Sequence, residues 1–445
     1  MKKILLFVTS FFLFFQAFSQ DFRYNGELAV QAGLGMPGTH DNEARFLAGS
    51  ISFANTFKAY FDDSMVNVEA ILIADDIGSQ SSNGISAFVS DDGHFSLKLK
   101  EAYYDYNGGF WALRAGRQIS AWGKADGIQI TDILCPQDES NIIASTYKES
   151  RQGIDALRLS FIGEKVQADA YWIPFFTPST MPLAKNNPMR RINFPDTFDN
   201  FVLETPSRYD DFELPEKKFA NSEYAARLGM YFSSFDLSFY GFYGWDDMPF
   251  ISYMYTPGTS GISVSGSYER MAMFGVDSAI PVGDFVFRLE SAFFPKRKMQ
   301  TSAEYQAARQ IGGEDSESFE DHNQILALAG LDWSLSDGWT INMQYIADGV
   351  FGKSENLDRK SYNHQLSLSL EKNLLNETLT LSGLAFLDLR DFSSNTELSA
   401  EYSLSDSIKL SIVGNIFLEG PDGKDGLYGA YHDLTCLTLR GKISF

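Results

Sequence analysis

The sequence predicts an all-β protein, a transmembrane up-and-down antiparallel β-barrel of about eighteen strands, with sixteen also fitting its spacing. Three observations carry that expectation. An apolar, cleavable leader opens the chain. Behind it, segments of roughly ten residues alternate between apolar and polar positions, the length of a tilted membrane strand. Short turns then alternate with long polar loops along the whole length.

Residues 1–20 read MKKILLFVTSFFLFFQAFSQ. Two lysines precede an apolar run from Ile4 to Phe15, and Ala17 and Ser19 occupy the small-residue positions that a signal peptidase reads. Residues 1–19 are therefore expected to be a signal peptide. The run is too short to cross a ~30 Å hydrocarbon core as a helix, and no cysteine follows to accept lipid. Beyond it no stretch of about 18 apolar residues occurs. The chain is nonetheless 44% hydrophobic and 15% aromatic, with 38 Phe and 21 Tyr. That load suits strands with one face on outer-membrane lipid and aromatic girdles at both interfaces.

The formal net charge of -22 argues against nucleic acid, whose phosphates demand a basic surface. Placed in loops, the acidic residues make a hydrated, self-repelling rim. Two cysteines, Cys135 and Cys436, form neither a disulfide framework nor a metal spacing; a bridge between them stays open.

The last strand, within 433–445, shows the alternation most clearly. Leu437, Leu439, Gly441, Ile443 and Phe445 share one face, and Cys436, Thr438, Arg440, Lys442 and Ser444 the other. The same period recurs at Leu157, Leu159 and Phe161, at Phe285, Phe287 and Leu289, and at Trp339, Ile341, Met343 and Tyr345. It appears again at Leu366, Leu368 and Leu370, and at Ile408, Leu410 and Ile412. Short turns fall at 62–63, 107–109, 163–165, 233–234, 282–284, 336–338, 374–376 and 405–406, several with Gly, Asn or Asp. Long loops lie near 33–45, 74–94, 118–150, 176–221, 246–266, 296–321, 350–360, 388–395 and 419–432. Hairpins across the eight turns use sixteen strands. One further strand at each end, 24–32 and 433–445, brings the count to eighteen. This predicts one barrel domain over 20–445 without a separate plug domain.

In a barrel this wide the lumen holds water, and alternation points several charges into it. The cations are Arg114, Arg158, Arg227, Arg288, Lys409, Arg440 and Lys442; the anions are Asp169, Asp277, Glu290, Glu371 and Glu401. Such a lining either selects solutes by charge or pairs with itself and solvates the lumen.

The stretch 113–138, LRAGRQISAWGKADGIQITDILCPQD, leaves a strand through Arg114, Arg117 and Gln118 and enters a glycine-rich loop. Ile128, Ile130 and Ile133 have little reason to sit in a water-exposed loop. Folding against the inner wall would bury them and carry Lys124, Asp126, Asp132 and Asp138 into the lumen as a constriction. An outer hairpin with one apolar side, or a subunit interface, explains the same residues.

This stretch also carries a family resemblance. Arg114, Gly116, Arg117 and Gln118, then Trp122-Gly123, an acidic residue, Pro136 and Asp138 resemble a segment after an early hairpin in the outer-membrane porin superfamily. The nearest likeness is to uncharacterised barrels related to alginate-export porins, over residues 111–138. It implies passive passage of a solute through an arginine-lined lumen, and not alginate as that solute. The terminal Phe445 resembles the signature that such barrels show to their assembly machinery.

The loop 176–221, with its prolines and Lys185, Arg190 and Arg191, reads equally as a lid over the mouth or as a surface loop. His40, His94, His322, His364 and His432 fall in loops or at outer strand ends, without H-E-x-x-H spacing, and no G-x-S-x-G turn occurs. Neither an enzyme nor a metal or cofactor site is expected. The expected function is an outer-membrane porin-like channel for small hydrophilic solutes, preferably anionic, as a monomer or homotrimer. The pore-lining candidates are Arg114, Arg117, Gln118, Lys124, Asp126, Asp132, Arg158, Arg227, Arg288, Glu290, Arg440 and Lys442. A fatty-acid-type transporter and a surface adhesin are the alternatives.

Overall fold

A computed structural model describes residues 21–36, 45–141, 146–198, 201–255, 261–335 and 337–445. The expected signal peptide and His40 lie outside them. Among the described residues, eighteen long antiparallel strands form one closed sheet. The first nine are β1 (Asp21–Gly35), β2 (Phe46–Phe61), β3 (Ser64–Asp75), β4 (Phe95–Asn107), β5 (Trp111–Gln118), β6 (Ile154–Ile162), β7 (Val166–Ile173), β8 (Glu223–Tyr231) and β9 (Asp236–Trp245). The rest are β10 (Arg270–Val282), β11 (Phe285–Gln300), β12 (Phe319–Ser334), β13 (Trp339–Phe351), β14 (Tyr362–Leu374), β15 (Leu379–Asp388), β16 (Ser394–Ser405), β17 (Ile408–Leu418) and β18 (Cys436–Ser444).

Each strand pairs with its sequence neighbours, and β18 pairs with β1 from Glu27 opposite Ser444 to Gly35 opposite Cys436. Gly26 and Phe445 complete the seam, each N–H donating to the other's carbonyl at 2.8 and 2.9 Å. The Phe445 ring lies where a Cβ on Gly26 would stand, 2.6 Å away. Closure leaves no strand edge in lipid, where an unmet backbone group is costly.

Alternation divides the side chains as the period-2 pattern requires. Leu437, Leu439 and Ile443 are exposed on the outer surface of β18, while Cys436 and Thr438 are buried on its inner one. Leu159, Phe287, Met343, Leu366 and Leu410 continue the outer apolar band. The last strand starts at Cys436 rather than 433, because 429–434 form a 3-10 turn. There the Thr435 hydroxyl, not a ladder partner, accepts the Phe417 N–H at 3.0 Å.

The eight turns join neighbouring strands closely, while the other nine connections are mostly longer and lie at the opposite end. Some of the long loops carry structure of their own. A three-residue strand, Ala87–Val89, adds to β4, and four short strands in the loops after β7 and β9 make a second sheet. Its Phe250–Tyr255 strand is capped by side chains. Gln300, Gln306 and Gln310 accept the N–H groups of Ile251, Tyr253 and Tyr255 at 2.7, 2.9 and 2.7 Å, which blunts an otherwise open edge. Cys135 and Cys436 are both buried and both free thiols, so the bridge left open by the sequence is not formed.

Placing a charge on the outer band tests this assignment of faces. Leu439→Arg should destabilise the folded barrel by ~2–4 kcal/mol in urea-dependent folding into lipid vesicles. Ser52→Arg, on the cavity-lining face of β2, should change stability by less than ~0.5 kcal/mol.

Candidate functional site: the lumen and its infolded loop

The chain leaves β5 at Gln118, whose fully buried amide donates to Ala156 O at 2.9 Å. It then turns into the barrel instead of outward. Ile130 (0% exposed), Trp122, Leu134 and Cys135 pack against an apolar patch of the inner wall that includes Tyr171, Tyr240, Phe242, Met273, Phe294 and Ile346. Ile128 and Ile133 lie at the edge of the same cluster. Each isoleucine buried this way is worth ~1.5–3 kcal/mol, which is the physical reason for the inward fold.

Polar groups of the far wall hold the loop tip. Glu290 on β11 accepts four hydrogen bonds. They come from Lys124 N and Ala125 N on Oε2 (2.5 and 2.8 Å), and from Thr131 N and Thr131 Oγ1 on Oε1 (2.8 and 2.7 Å). Gly123, at φ +78°, permits this wrap: a Cβ there would collide with Glu290 Oε1. Gln344 on β13 accepts from Asp126 N and donates to Asp126 O, both at 2.9 Å. Arg288 reaches Asp126 Oδ2 at 2.8 Å, and Lys124 reaches Asp236 at 3.0 Å. At Gly127 a Cβ would come within 2.9 Å of the Phe386 ring on β15, so the loop crosses most of the lumen.

Two other loops lock onto it. Asn83 donates to Gln152 Oε1 and Pro178 O at 2.6 and 3.0 Å, joining loops 76–94, 119–153 and 174–222. Met189 packs with Leu47, Phe417, Leu434 and Cys436, so the third of these loops lies over the mouth and reaches the opposite wall.

On the remaining side, between the loop and β1–β4 with β18, a cavity of about 320 Å³ stays open. Its cations are Lys98, Lys100, Arg151, Arg440 and Lys442; Glu27, Glu69, Asp138 and Glu149 are the facing acids. Lys98 pairs with Asp138 at 2.7 Å, and Lys100 donates to the Arg151 carbonyl at 3.1 Å. Lys442 is 3.5 Å from Glu149 and 3.7 Å from Glu27. The Arg440 side chain has no hydrogen-bond or ion-pair partner among the described residues, and its Nε is buried without one.

The sequence-derived candidates therefore fall into three groups. Arg440 and Lys442 line the open cavity. Arg114 and Arg158 line a second polar cavity of about 300 Å³, and Arg227 lies on the wall beside it. These three are paired, Arg114 with Asp105 at 2.6 Å, and Arg158 and Arg227 with Asp169 at 2.9 and 3.8 Å. The others are engaged between the loop and the wall. Arg117 forks onto Asp155 at 3.0 and 2.8 Å, and Gln118, Asp132 and Glu290 are sealed between loop and wall. Lys124, Asp126 and Arg288 are consumed in fastening the loop. Alternation points the strand residues inward, but the loop covers that sector of wall and captures their charges. Lys98, Lys100 and Glu149 were missed. The run F-S-L-K-L-K at 95–100 carries the signal for the two lysines, and a bulge opposite Glu69/Ala70 ends their alternation.

Burial and neighbours tune the loop groups. Burial pushes the Cys135 thiol up to about 12. Burial would raise Glu149, but the Thr146 N–H, Lys442 and Arg440 outweigh it and hold the carboxyl below its ordinary range. Asp247 is pushed up to about 7, first by burial, then by Asp246 and Glu139, against the pull of Arg297. Its carbonyl accepts the Ser179 N–H at 2.9 Å, so this acid sits on a seam between two loops.

The model of a family described as "Protein of unknown function (DUF1302)" matches residues 18–409. Among solved structures, the fold is similar to OccAB1 of Acinetobacter baumannii (TM-score 0.54, 8% identity, 96% of this chain and 97% of that one). It is similar also to OccK8 (OprE) of Pseudomonas aeruginosa (TM-score 0.53, 8% identity, 96% and 98%). OccAB3 of A. baumannii gives TM-score 0.51 at 11% identity over 96% and 98%. These likenesses show the fold, that of an outer-membrane β-barrel. No curated protein matches the sequence.

Two measurements check this site. In a Cys436→Ser background, Glu290→Ala should strand the four donors and loosen the loop. Maleimide labelling of Cys135 should then quicken about tenfold or more, the factor that ~1.4 kcal/mol of lost docking gives. Asp247 binds its proton more tightly in the folded loops than in an unfolded chain, so the seam is firmest below about pH 4 and weakens as pH rises toward about 7. Asp247→Asn should therefore increase hydrogen-exchange protection of 246–269 at pH 8 and leave it unchanged at pH 4.

Proposed function

The chain belongs to the DUF1302 family, and from that premise we propose that it is a porin-like outer-membrane channel that passes small hydrophilic solutes and favours anionic ones. The observation that carries the reading is Arg440. The other lumen arginines are spent on carboxylates at the wall or in the loop, whereas Arg440 faces the open cavity with its guanidinium unmatched. A free guanidinium in a water-filled passage attracts an anion and takes a carboxylate in a bidentate fork. Lys442, two residues along the same face, adds to the field and is only loosely neutralised.

The resemblance of 111–138 to alginate-export-related barrels supports passive passage and names no solute. In this reading residues 1–19 are removed on export, and 20–445 insert as one barrel domain, as a monomer or homotrimer. Phe445 is the residue presented to the assembly machinery before the β1–β18 seam buries its backbone.

Planar-bilayer recording of the purified full-length barrel tests the proposal. Under a KCl gradient the wild type should open and show a reversal potential on the anion side. Arg440→Ala should lower the chloride-to-potassium permeability ratio roughly threefold, the effect of one unit charge a few Å away in water-like dielectric. A protein that never opens defeats the channel reading, and a cation-selective wild type defeats the preference for anions.

A further inference from the structure

Glu149 stands in the open cavity, facing the cations of β18. It is the third residue of the four-residue helix Tyr147–Ser150 and forms a capping box with Thr146 at the helix start. Its Oε2 accepts the Thr146 N–H at 2.9 Å, while its Oε1 points across the passage to Lys442 Nζ at 3.5 Å. Lys100 holds the backbone in place by donating to the carbonyls of Glu149 and Arg151. The carboxylate thus reaches β18 from a fixed base on the β4 side of the lumen.

The contact itself is loose. Ion pairs such as Arg114–Asp105 and Lys98–Asp138 close to 2.6 and 2.7 Å, whereas Lys442 sits 3.5 Å from Glu149 and 3.7 Å from Glu27. Both side chains remain water-accessible, with Lys442 31% and Glu149 45% exposed. Arg440 is close enough to influence Glu149 and Glu397 electrostatically, yet hydrogen-bonds to neither. The Glu149 carboxylate is therefore poorly seated, loosely paired with Lys442, which Glu27 also approaches, and not bonded to Arg440. Exchanging it for a better-seated one costs little, because a half-exposed ion pair at this distance contributes little stability.

We infer that Glu149 is a tethered surrogate of the solute, which occupies the Arg440–Lys442 site until a small dicarboxylate displaces it. This rests on the channel reading and adds the solute class and the residue that sets its affinity. The class follows from spacing. Alternate residues on one strand face lie ~7 Å apart, so the two cations present two separated positive heads along the passage. A monocarboxylate engages one head, as Glu149 does; a dicarboxylate engages both. Displacement frees no buried charge, since Glu149 swings into the aqueous cavity while its cap on Thr146 is replaced by water.

Glutamine isolates the charge, because it fits the capping box as well as glutamate and does not compete for the cations. In planar bilayers, succinate should block the chloride current of the wild type at lower concentration than acetate. Glu149→Gln should lower the succinate concentration for half-block about fivefold and raise the chloride-to-potassium permeability ratio. Glu149→Asp, which keeps the charge on a shorter arm, should fall between the two, and adding Arg440→Ala to Glu149→Gln should cancel the gain. Open channels whose succinate block is unchanged by Glu149→Gln overturn the inference, as does a gain that survives Arg440→Ala. Equal block by acetate and succinate overturns the dicarboxylate assignment. Channels that stay silent in every variant count against the channel reading itself, which separates the two failures.

Discussion

A backbone in hydrocarbon must find every hydrogen bond within its own chain, and here the last unpaired edge is closed where β18 meets β1. The rest of the molecule follows from that seam. Because the sheet closes, each strand has one face on lipid and one on the lumen, and period-2 alternation becomes obligatory over eighteen strands. Because Phe445 and Gly26 exchange both hydrogen bonds, the terminal ring lies over the first strand, within 6.1 Å of Phe53 and 6.3 Å of Tyr24. These rings gather at the turn-side end of the barrel, where an aromatic girdle belongs.

Eighteen strands enclose more space than wall side chains can fill. The loop 119–153 takes up much of it and changes the character of what it covers. Against β7–β13 the lumen is a protein interior, with Ile130 and Met273 fully buried and Glu290 enclosed by four donors. An enclosed carboxylate with so many donors is costly to leave unmet, so the loop and the wall hold each other in one arrangement. Against β1–β4 and β18 the lumen stays open.

Hairpins are local objects, and that is why the architecture could be read from the sequence. Each short turn sits between two alternating runs, so strand count, loop lengths and the facing of Leu439 against Arg440 all follow from neighbours in sequence. The isoleucines of 128–133 signalled an inward fold for an equally local reason. Which charges stay unpaired is not local. Lys124 finds Glu290 across 166 residues and Asp126 finds Gln344 across 218, and nothing near either residue announces its partner. Arg288 and Arg440 look alike as inward arginines on alternating strands. Only the path of the loop makes one an anchor and leaves the other free.

Distance then separates structural charge from exchangeable charge. Where a pair closes to 2.6–2.8 Å at a partly buried wall, as at Arg114–Asp105 and Arg297–Asp246, removing one partner strands the other, and the pair behaves as part of the frame. Where the contact is 3.5–3.7 Å and both groups touch water, as around Lys442, the partners are held by field more than by hydrogen bonds. Counting inward arginines therefore says little about a passage. On the proposed channel reading its chemistry is set by the charges that the infolded loop leaves least satisfied, Arg440 and Lys442 on β18, opposite the helix that carries Glu149.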